Sequence, residues 1–243
     1  AQNINPRDTS IVLQDETLLL YGKGMITDDL CGLKISYSPS AFYQIHHDQC
    51  EALYKLGADL LQLNDRDKVL DTYCGVGTIG LYLSRFCKQV TGVEINRDAV
   101  ENAILNARQN DISNIRFIAM DSTRYMAEAR RSHQHYDAIV LDPPRAGTTP
   151  SFIENACALK PAKILYISCD PSTQIRDLKM FRKFGYTSSH MELVDMFPNT
   201  EHIESVVLLT PAKQPGHLLS NVPASHRPGK KDFRTPKKAG PQT

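Results

Sequence analysis

Asp71-Thr-Tyr-Cys-Gly75-Val-Gly77-Thr-Ile-Gly80 is the stretch that decides the fold. An apolar run, Val69–Asp71, leads into it, and a helix-compatible segment, Gly80–Phe86, leaves it. Gly75, Gly77 and Gly80 have the G-x-G-x-x-G spacing in a strand–turn–helix setting, where glycines let the backbone come close to a ligand. Glu94 closes the next apolar run, Gln89–Glu94, a position from which an acid holds ribose hydroxyls. The pair fits either NAD or S-adenosylmethionine. A tight turn that holds no ligand leaves Glu94 unexplained.

The pattern continues outward from this loop. Helices are expected at Asp98–Asn110, Ser122–Arg131, Pro150–Leu159 and Ser172–Phe184. Strands are expected at Ile115–Ala119, Tyr136–Leu141, Lys163–Ile167, Tyr186–Val194 and Ile203–Leu209. Regular β/α alternation predicts an α/β fold, a mostly parallel seven-stranded sheet with helices on both faces. No helix separates the last two strands, which predicts a hairpin and one antiparallel strand. Asp48–Leu63 reads as a helix with Ala52, Leu53, Leu56, Leu60 and Leu61 on one face. Ahead of it, Ile11–Leu13, Thr17–Tyr21 and Leu33–Ser36 are strand-like, with Arg7-Asp8 and Asp28-Asp29 as polar breaks. Three parts follow: a partial β-rich unit over 1–46, an α/β domain over 47–210 and a tail over 211–243.

With 243 residues, 41% of them hydrophobic, the chain is long enough for one sizeable α/β domain with small additions. No segment is apolar for the roughly 18 residues of a membrane span, and the start has no basic-then-apolar leader. A cytoplasmic monomer with no membrane partner is therefore expected. Ala1 in place of Met suggests a fragment or a processed chain. Cysteines 31, 50, 74, 87, 157 and 169 include no Cys-x-x-Cys pair and fit no zinc or iron–sulfur spacing, so no metal site is expected. Five of them read as reduced, mostly buried thiols. The net charge of +1 is unevenly placed: residues 211–243 hold seven Lys or Arg and one acid, leaving −5 on the rest. That tail, with six Pro and three Gly, reads as disordered and basic, either a solubilising appendage or a grip on nucleic-acid phosphates.

The sixth cysteine, Cys169, stands in Ile167-Ser-Cys-Asp-Pro171, at a strand's end and facing the start of a helix. A helix N-terminus favours a thiolate by its dipole and its free N–H groups, and ligands bind at the carboxyl ends of α/β strands. Asp142-Pro-Pro-Arg145 ends another strand, and its double proline fixes a rigid, non-helical backbone beside the glycine loop. Asp121 ends the third strand, where it either meets an adenine amino group or caps the next helix. Glu204, at the start of the last strand, is a general base or a solvated edge residue. His202 beside it lacks a second His-rich cluster and argues for no metal.

Four motifs occur together and in order: the glycine loop from Asp71, Asp142-Pro-Pro-Arg-Ala-Gly, Ser168-Cys-Asp-Pro-Ser-Thr and His202-Ile-Glu204. Over roughly residues 4–211 the chain resembles the S-adenosylmethionine-dependent RNA (uracil-5-)-methyltransferases, most of all the bacterial 23S rRNA branch. Ser40-Ala-Phe-Tyr-Gln44 is similar to that family's Phe-Phe-Gln motif. The resemblance implies a Rossmann-like class I methyltransferase domain with Cys169 as nucleophile and Glu204 as base. It implies Gln44, Tyr73, Glu94, Asp121 and Asp142 as residues that bind S-adenosylmethionine. It implies RNA, 23S rRNA first, as the substrate. The family's upstream β-barrel and iron–sulfur cysteine cluster are not seen in this sequence, which resembles the catalytic C-terminal part of a longer enzyme. Alternatives are a transfer-RNA uridine methyltransferase and a noncatalytic RNA-binding fragment. An NAD-dependent dehydrogenase leaves Asp142-Pro-Pro-Arg145 and Cys169 without a role, and a nitrogen-methylating enzyme has an aromatic residue where Arg145 stands and no cysteine.

Overall fold

The structure is a computed structural model and describes residues 2–3, 17–22, 24–44 and 46–212. Its centre is a seven-stranded sheet. The strands are β5 (Lys68–Thr72), β6 (Gln89–Glu94), β7 (Ile115–Ala119), β8 (Ala138–Leu141), β9 (Lys163–Ser168), β10 (Tyr186–Val194) and β11 (Glu204–Pro211). The helices are α1 (His47–Leu61), α2 (Thr78–Leu83), α3 (Arg97–Gln109), α4 (Ser122–Arg131), α5 (Pro150–Ala158) and α6 (Pro171–Lys183). Val69, Leu70, Ile139, Val140 and Ile164 are fully buried, as expected of parallel strands covered on both faces. Burying each such side chain contributes about 1.5–3 kcal/mol relative to exposure.

The strand order is β10-β11-β9-β8-β5-β6-β7. From β5 the chain runs outward through β6 to β7, then returns to β8 on the other side. The carboxyl ends of β5 and β8 therefore meet at the point where the order reverses, the usual place for a ligand crevice. The expected hairpin of β10 and β11 is present, and β11 is the antiparallel strand. Its insertion between β10 and β9 is not evident from the sequence. The consequence is direct: β11 runs opposite to its neighbours, so its first residue lies at the carboxyl edge.

Near the N-terminus, β1 (Gln2–Asn3) pairs with β2 (Thr17–Leu18), and β3 (Ile26–Leu30) pairs with β4 (Leu33–Tyr37). The expected strand Ile11–Leu13 and the tail from Lys213 onward lie outside the described residues. The expected strand Thr17–Tyr21 is shorter, and Asp28-Asp29 is not a break: it lies within β3. An exposed two-stranded ribbon tolerates paired acids, and the turn falls instead at Cys31-Gly32, both with positive φ, the mirror-type geometry that matches strand twist. The ribbon is bound to α3. The Ser36 N–H donates to Asn106 Oδ1 (2.7 Å), and fully buried Asn106 donates onward to the Val76 carbonyl of the glycine loop (3.1 Å). Among the described residues no helix is long and apolar enough to cross a membrane.

Candidate active site

The carboxyl edge gathers four segments. The glycine loop leaves β5, Asp142-Pro-Pro-Arg145 leaves β8, Cys169 follows β9, and Glu204 opens β11. The β9–β11 ladder pairs Ser168 with Ser205, so Cys169 and Glu204 are the next residues past that pair. Cys169, half-buried, lines a cleft of about 280 Å³ with Arg145, Asp170, Pro171, Glu201, His202 and Ile203. Arg145 Nη2 lies 3.4 Å from His202 Nε2, and the imidazole stands edge-on to Phe197 at 6.2 Å. The sequence reading sets the Asp142–Arg145 segment beside the glycine loop and Cys169 but gives the Arg145 and His202 side chains no part in the cleft, because only the fold brings the β8 loop against the 195–203 connection.

Glu204 is not a solvated edge residue. It is 2% exposed, and burial pushes its carboxyl up to about 7. Asp142 is held well above the carboxylate range by burial and by the negative charges of Glu204 and Asp71. The Cys169 thiol is raised rather than lowered, first by burial and then by Glu204 and Asp142, with Arg145 opposing. The expectation of a thiolate stabilised by the helix N-terminus is therefore corrected. Asp170 caps α6, taking the N–H groups of Ser172 (2.9 Å) and Thr173 (3.2 Å), and its negative charge occupies that helix end. A bond from the Ser172 hydroxyl, and then those N–H groups and Arg145, lower the Asp170 carboxyl, which makes it a weak base.

On the glycine-loop side, Glu94 accepts from the N–H groups of Gly75 (3.0 Å) and Asn96 (2.9 Å), binding the loop to the end of β6. A Cβ at Gly75 would meet nothing within 4 Å, so the backbone there borders open space that a ligand can fill. Tyr73 joins the two sides: its hydroxyl is 2.8 Å from Thr148 Oγ1, beyond the Asp142 segment. Asp121 caps α4 by accepting from Arg124 N (2.8 Å), which realises the capping alternative for one of its oxygens. Gln44 is half-buried in the segment entering α1, where Tyr43 stacks on Tyr37 at 4.2 Å. No hydrogen bond among the described residues joins Gln44 to the other named positions. No group of three His, Cys, Asp or Glu among the described residues is placed to hold a metal ion.

Asp71, which opens the glycine motif, has a second character that only the fold shows. It is 1% exposed, and neither carboxyl oxygen has a hydrogen-bond partner. Burial pushes it up to about 7; the nearby Gly80 backbone N–H, outside hydrogen-bond geometry, offsets part of the rise, and the charge of Glu94 adds to it. The ordinary value is 3.8, so below about pH 4 both folded and unfolded chains hold this proton and the group costs nothing. As pH rises from about 4 to 7 the unfolded chain ionises first, and folded stability falls. Asp71→Asn is accordingly expected to raise the thermal midpoint at pH 8 by about 5 °C or more, with no gain near pH 4. Melting curves at the two pH values test this, and an equal shift at both would rule out the buried charge as its source.

Strand order, glycine loop and the acid closing β6 define the fold of the S-adenosylmethionine-dependent methyltransferases. A solved S-adenosylmethionine-dependent methyltransferase from Agrobacterium tumefaciens shares it, with TM-score 0.60 over 83% of this chain and 73% of that one, at 15% identity. Within that fold the chain belongs to the tRNA (uracil-5-)-methyltransferase family, whose profile matches residues 29–212. An RNA methyltransferase of Clostridium tetani is 40% identical over 86% of this chain and 45% of its own length. One of Streptococcus mutans is 41% identical over 87% and 47%. The chain thus spans about half the length of these curated relatives. The Pyrococcus abyssi tRNA (uracil-54, C5)-methyltransferase, solved with S-adenosyl-L-homocysteine, superposes with TM-score 0.70 at 30% identity, over 86% of this chain and 50% of that one.

Proposed function

We propose that this chain is the catalytic part of an enzyme that moves a methyl group from S-adenosylmethionine to C5 of a uridine in RNA, through a covalent bond between Cys169 and uracil C6. The observation that carries this reading is the β9–β11 register, which sets the buried Glu204 close enough to act on the charge of Cys169, the thiol that lines the cleft. Family membership supports the uracil chemistry.

The charge of the site supports the cofactor. Asp71, Asp142 and Glu204 are each raised by burial, and no Lys or Arg offsets any of them. With three buried acids and Arg145 the one Lys or Arg lining the cleft, the site suits a cation better than the pyrophosphate of NAD. Bound there, S-adenosylmethionine supplies a methyl group on a positively charged sulfur. Gln44, Tyr73, Glu94, Asp121 and Asp142 are the residues proposed to hold it, Glu94 through the ribose hydroxyls and Asp121 through the oxygen that does not cap α4.

The chain's own residues then account for the steps. Cys169 loses its proton to solvent and adds to C6; a C–S bond forms and an electron pair moves toward C5 and O4. C5 becomes nucleophilic and accepts the methyl group. Glu204, ionised, takes the C5 proton, the C5=C6 bond returns and the C–S bond breaks with the thiolate leaving. A stacked base is out of reach of such a cleft, so the uridine enters flipped out or from a loop.

The RNA proposed is 23S rRNA, supported by overall resemblance to that branch. The likeness to the Pyrococcus enzyme favours transfer RNA instead, and methylation of the two RNAs side by side separates these readings. The cofactor is tested by calorimetry near pH 7 in two buffers of different ionisation heat. S-adenosylmethionine is expected to bind with proton release, because a cation returns raised carboxyls toward ionisation. Binding of NAD in its place would overturn the reading, and binding of neither would favour the noncatalytic RNA-binding fragment.

A further inference from the structure

Outside the cleft, one buried carboxylate has every contact accounted for, and all of them lead back to the site. Asp177 on α6 is 2% exposed. Its Oδ2 accepts from the Thr148 N–H (2.9 Å) and from the Tyr166 hydroxyl (2.7 Å). Its Oδ1 accepts from Arg176 Nε (2.9 Å), while Arg176 Nη2 donates to the carbonyls of Ala146 (2.9 Å) and Thr148 (3.3 Å). Gly147, at φ +72, passes so close that a Cβ there would lie 2.6 Å from Asp177 Oδ2.

These contacts join three parts of the cleft. Tyr166 is on β9, three residues before Cys169. Ala146, Gly147 and Thr148 continue the segment that carries Asp142 and Arg145, and Thr173 Oγ1 of α6 also donates to the Arg145 carbonyl (2.9 Å). Thr148 meets Tyr73 of the glycine loop through its hydroxyl. A buried acid balanced by an arginine is ordinary; one whose partners are the backbone of the arginine loop and the strand of the thiol fixes the distance between them.

We propose that Asp177, with Arg176, is a positioning residue: the pair holds the Arg145 loop against the Cys169 strand and the glycine loop, so that cofactor, base and thiol are aligned. This rests on the reading of the cleft as the methyl-transfer site. Misplacement of reacting groups by an ångström lowers rates by up to about a hundredfold without removing any reacting atom.

The test is single-turnover methyl transfer to RNA by the full chain, at saturating S-adenosylmethionine and well below the melting temperature. Asp177→Asn and Arg176→Ala are expected to slow transfer by about tenfold to a hundredfold. Cofactor affinity should stay within about threefold, the worth of less than one hydrogen bond. Arg176→Lys keeps the charge and loses the fork, so it recovers only part of the rate.

A matched pair separates positioning from mere stability. Tyr166→Phe removes a buried hydroxyl bond to Asp177, and Tyr186→Phe removes an equally buried one to the Pro161 carbonyl (2.7 Å), at the opposite edge of the sheet. Both should lower the melting point alike. Only Tyr166→Phe should slow transfer, by about fivefold, one hydrogen bond's worth. Equal rates in the two, or a loss confined to the folded fraction, would overturn the positioning role, and this pair decides the matter even where Asp177→Asn does not fold. A wild-type chain that transfers no methyl group to uridine would bring down the underlying reading as well; normal wild-type transfer with an unaffected Tyr166→Phe would bring down this inference alone.

Discussion

Cys169→Ala is expected to lower methyl transfer by about four orders of magnitude or more, the loss seen when an essential nucleophile is removed. S-adenosylmethionine affinity should change by no more than about twofold, since the thiol makes no charge-assisted contact at stake in binding. The free thiol is raised above its ordinary value of 9.0 by burial and by two carboxyl groups, so only a small fraction is thiolate at neutral pH. The rate of adduct formation should therefore climb with pH beyond 8, in contrast to an enzyme whose thiolate is preformed. Single-turnover assays with labelled cofactor measure both effects. A Cys169→Ala protein methylating uridine at near wild-type rate would refute the covalent route.

The second large effect concerns Glu204. Glu204→Gln keeps the shape of the side chain and removes the base. On the proposed route thiol addition and methyl transfer are expected to proceed, while the C5 proton finds no acceptor and the RNA stays attached. A denaturation-resistant protein–RNA adduct is expected, dependent on both cofactor and Cys169, with turnover lowered by about a hundredfold to ten-thousandfold, the usual worth of a general base. The sign of the pH dependence follows from a carboxyl pushed up to about 7: the base works only when ionised, so the wild-type resolution step should gain rate up to about pH 7 and then level off. Gel analysis of the adduct and a pH profile of its decay provide the check. Normal turnover without adduct would remove Glu204 from the chemistry.

Much of this was open to reading because parallel strands are written as short apolar runs. β6 and β7 fall where their sequences place them, as does α4, and so does β10, although it is an exposed strand paired antiparallel. The glycine loop was legible for the same reason, being a fixed spacing between a strand and a helix. β3 was not: Ile26–Leu30 is largely exposed and carries two acids, and its partner is chosen by a turn rather than by an apolar face. The place of β11 between β10 and β9 was hidden because pairing order is a tertiary choice. Electrostatics was least legible. A thiol ahead of a helix suggests an activated nucleophile, yet its acidity is set first by burial and then by Glu204 and Asp142, distant in sequence. The roles of Asp71 and Asp177 depend wholly on what folds around them.

The antiparallel strand also bears on how the protein is made. Among the described residues β11 comes after every other strand, yet it lies inside the sheet, next to β9. While the chain is still being synthesised, the outer edge of β9 is an unpaired row of backbone donors and acceptors, and the thiol beside it has no carboxyl neighbour from β11. Pairings of this kind, between segments far apart in sequence, form slowly, because loop closure precedes any gain from contact. The thiol and its carboxyl partner are thus brought together only when the last strand slots into the sheet. Pairing of β11 with β9 and assembly of the proposed cleft become a single event, and before it Cys169 stands without the carboxyl proposed as its partner.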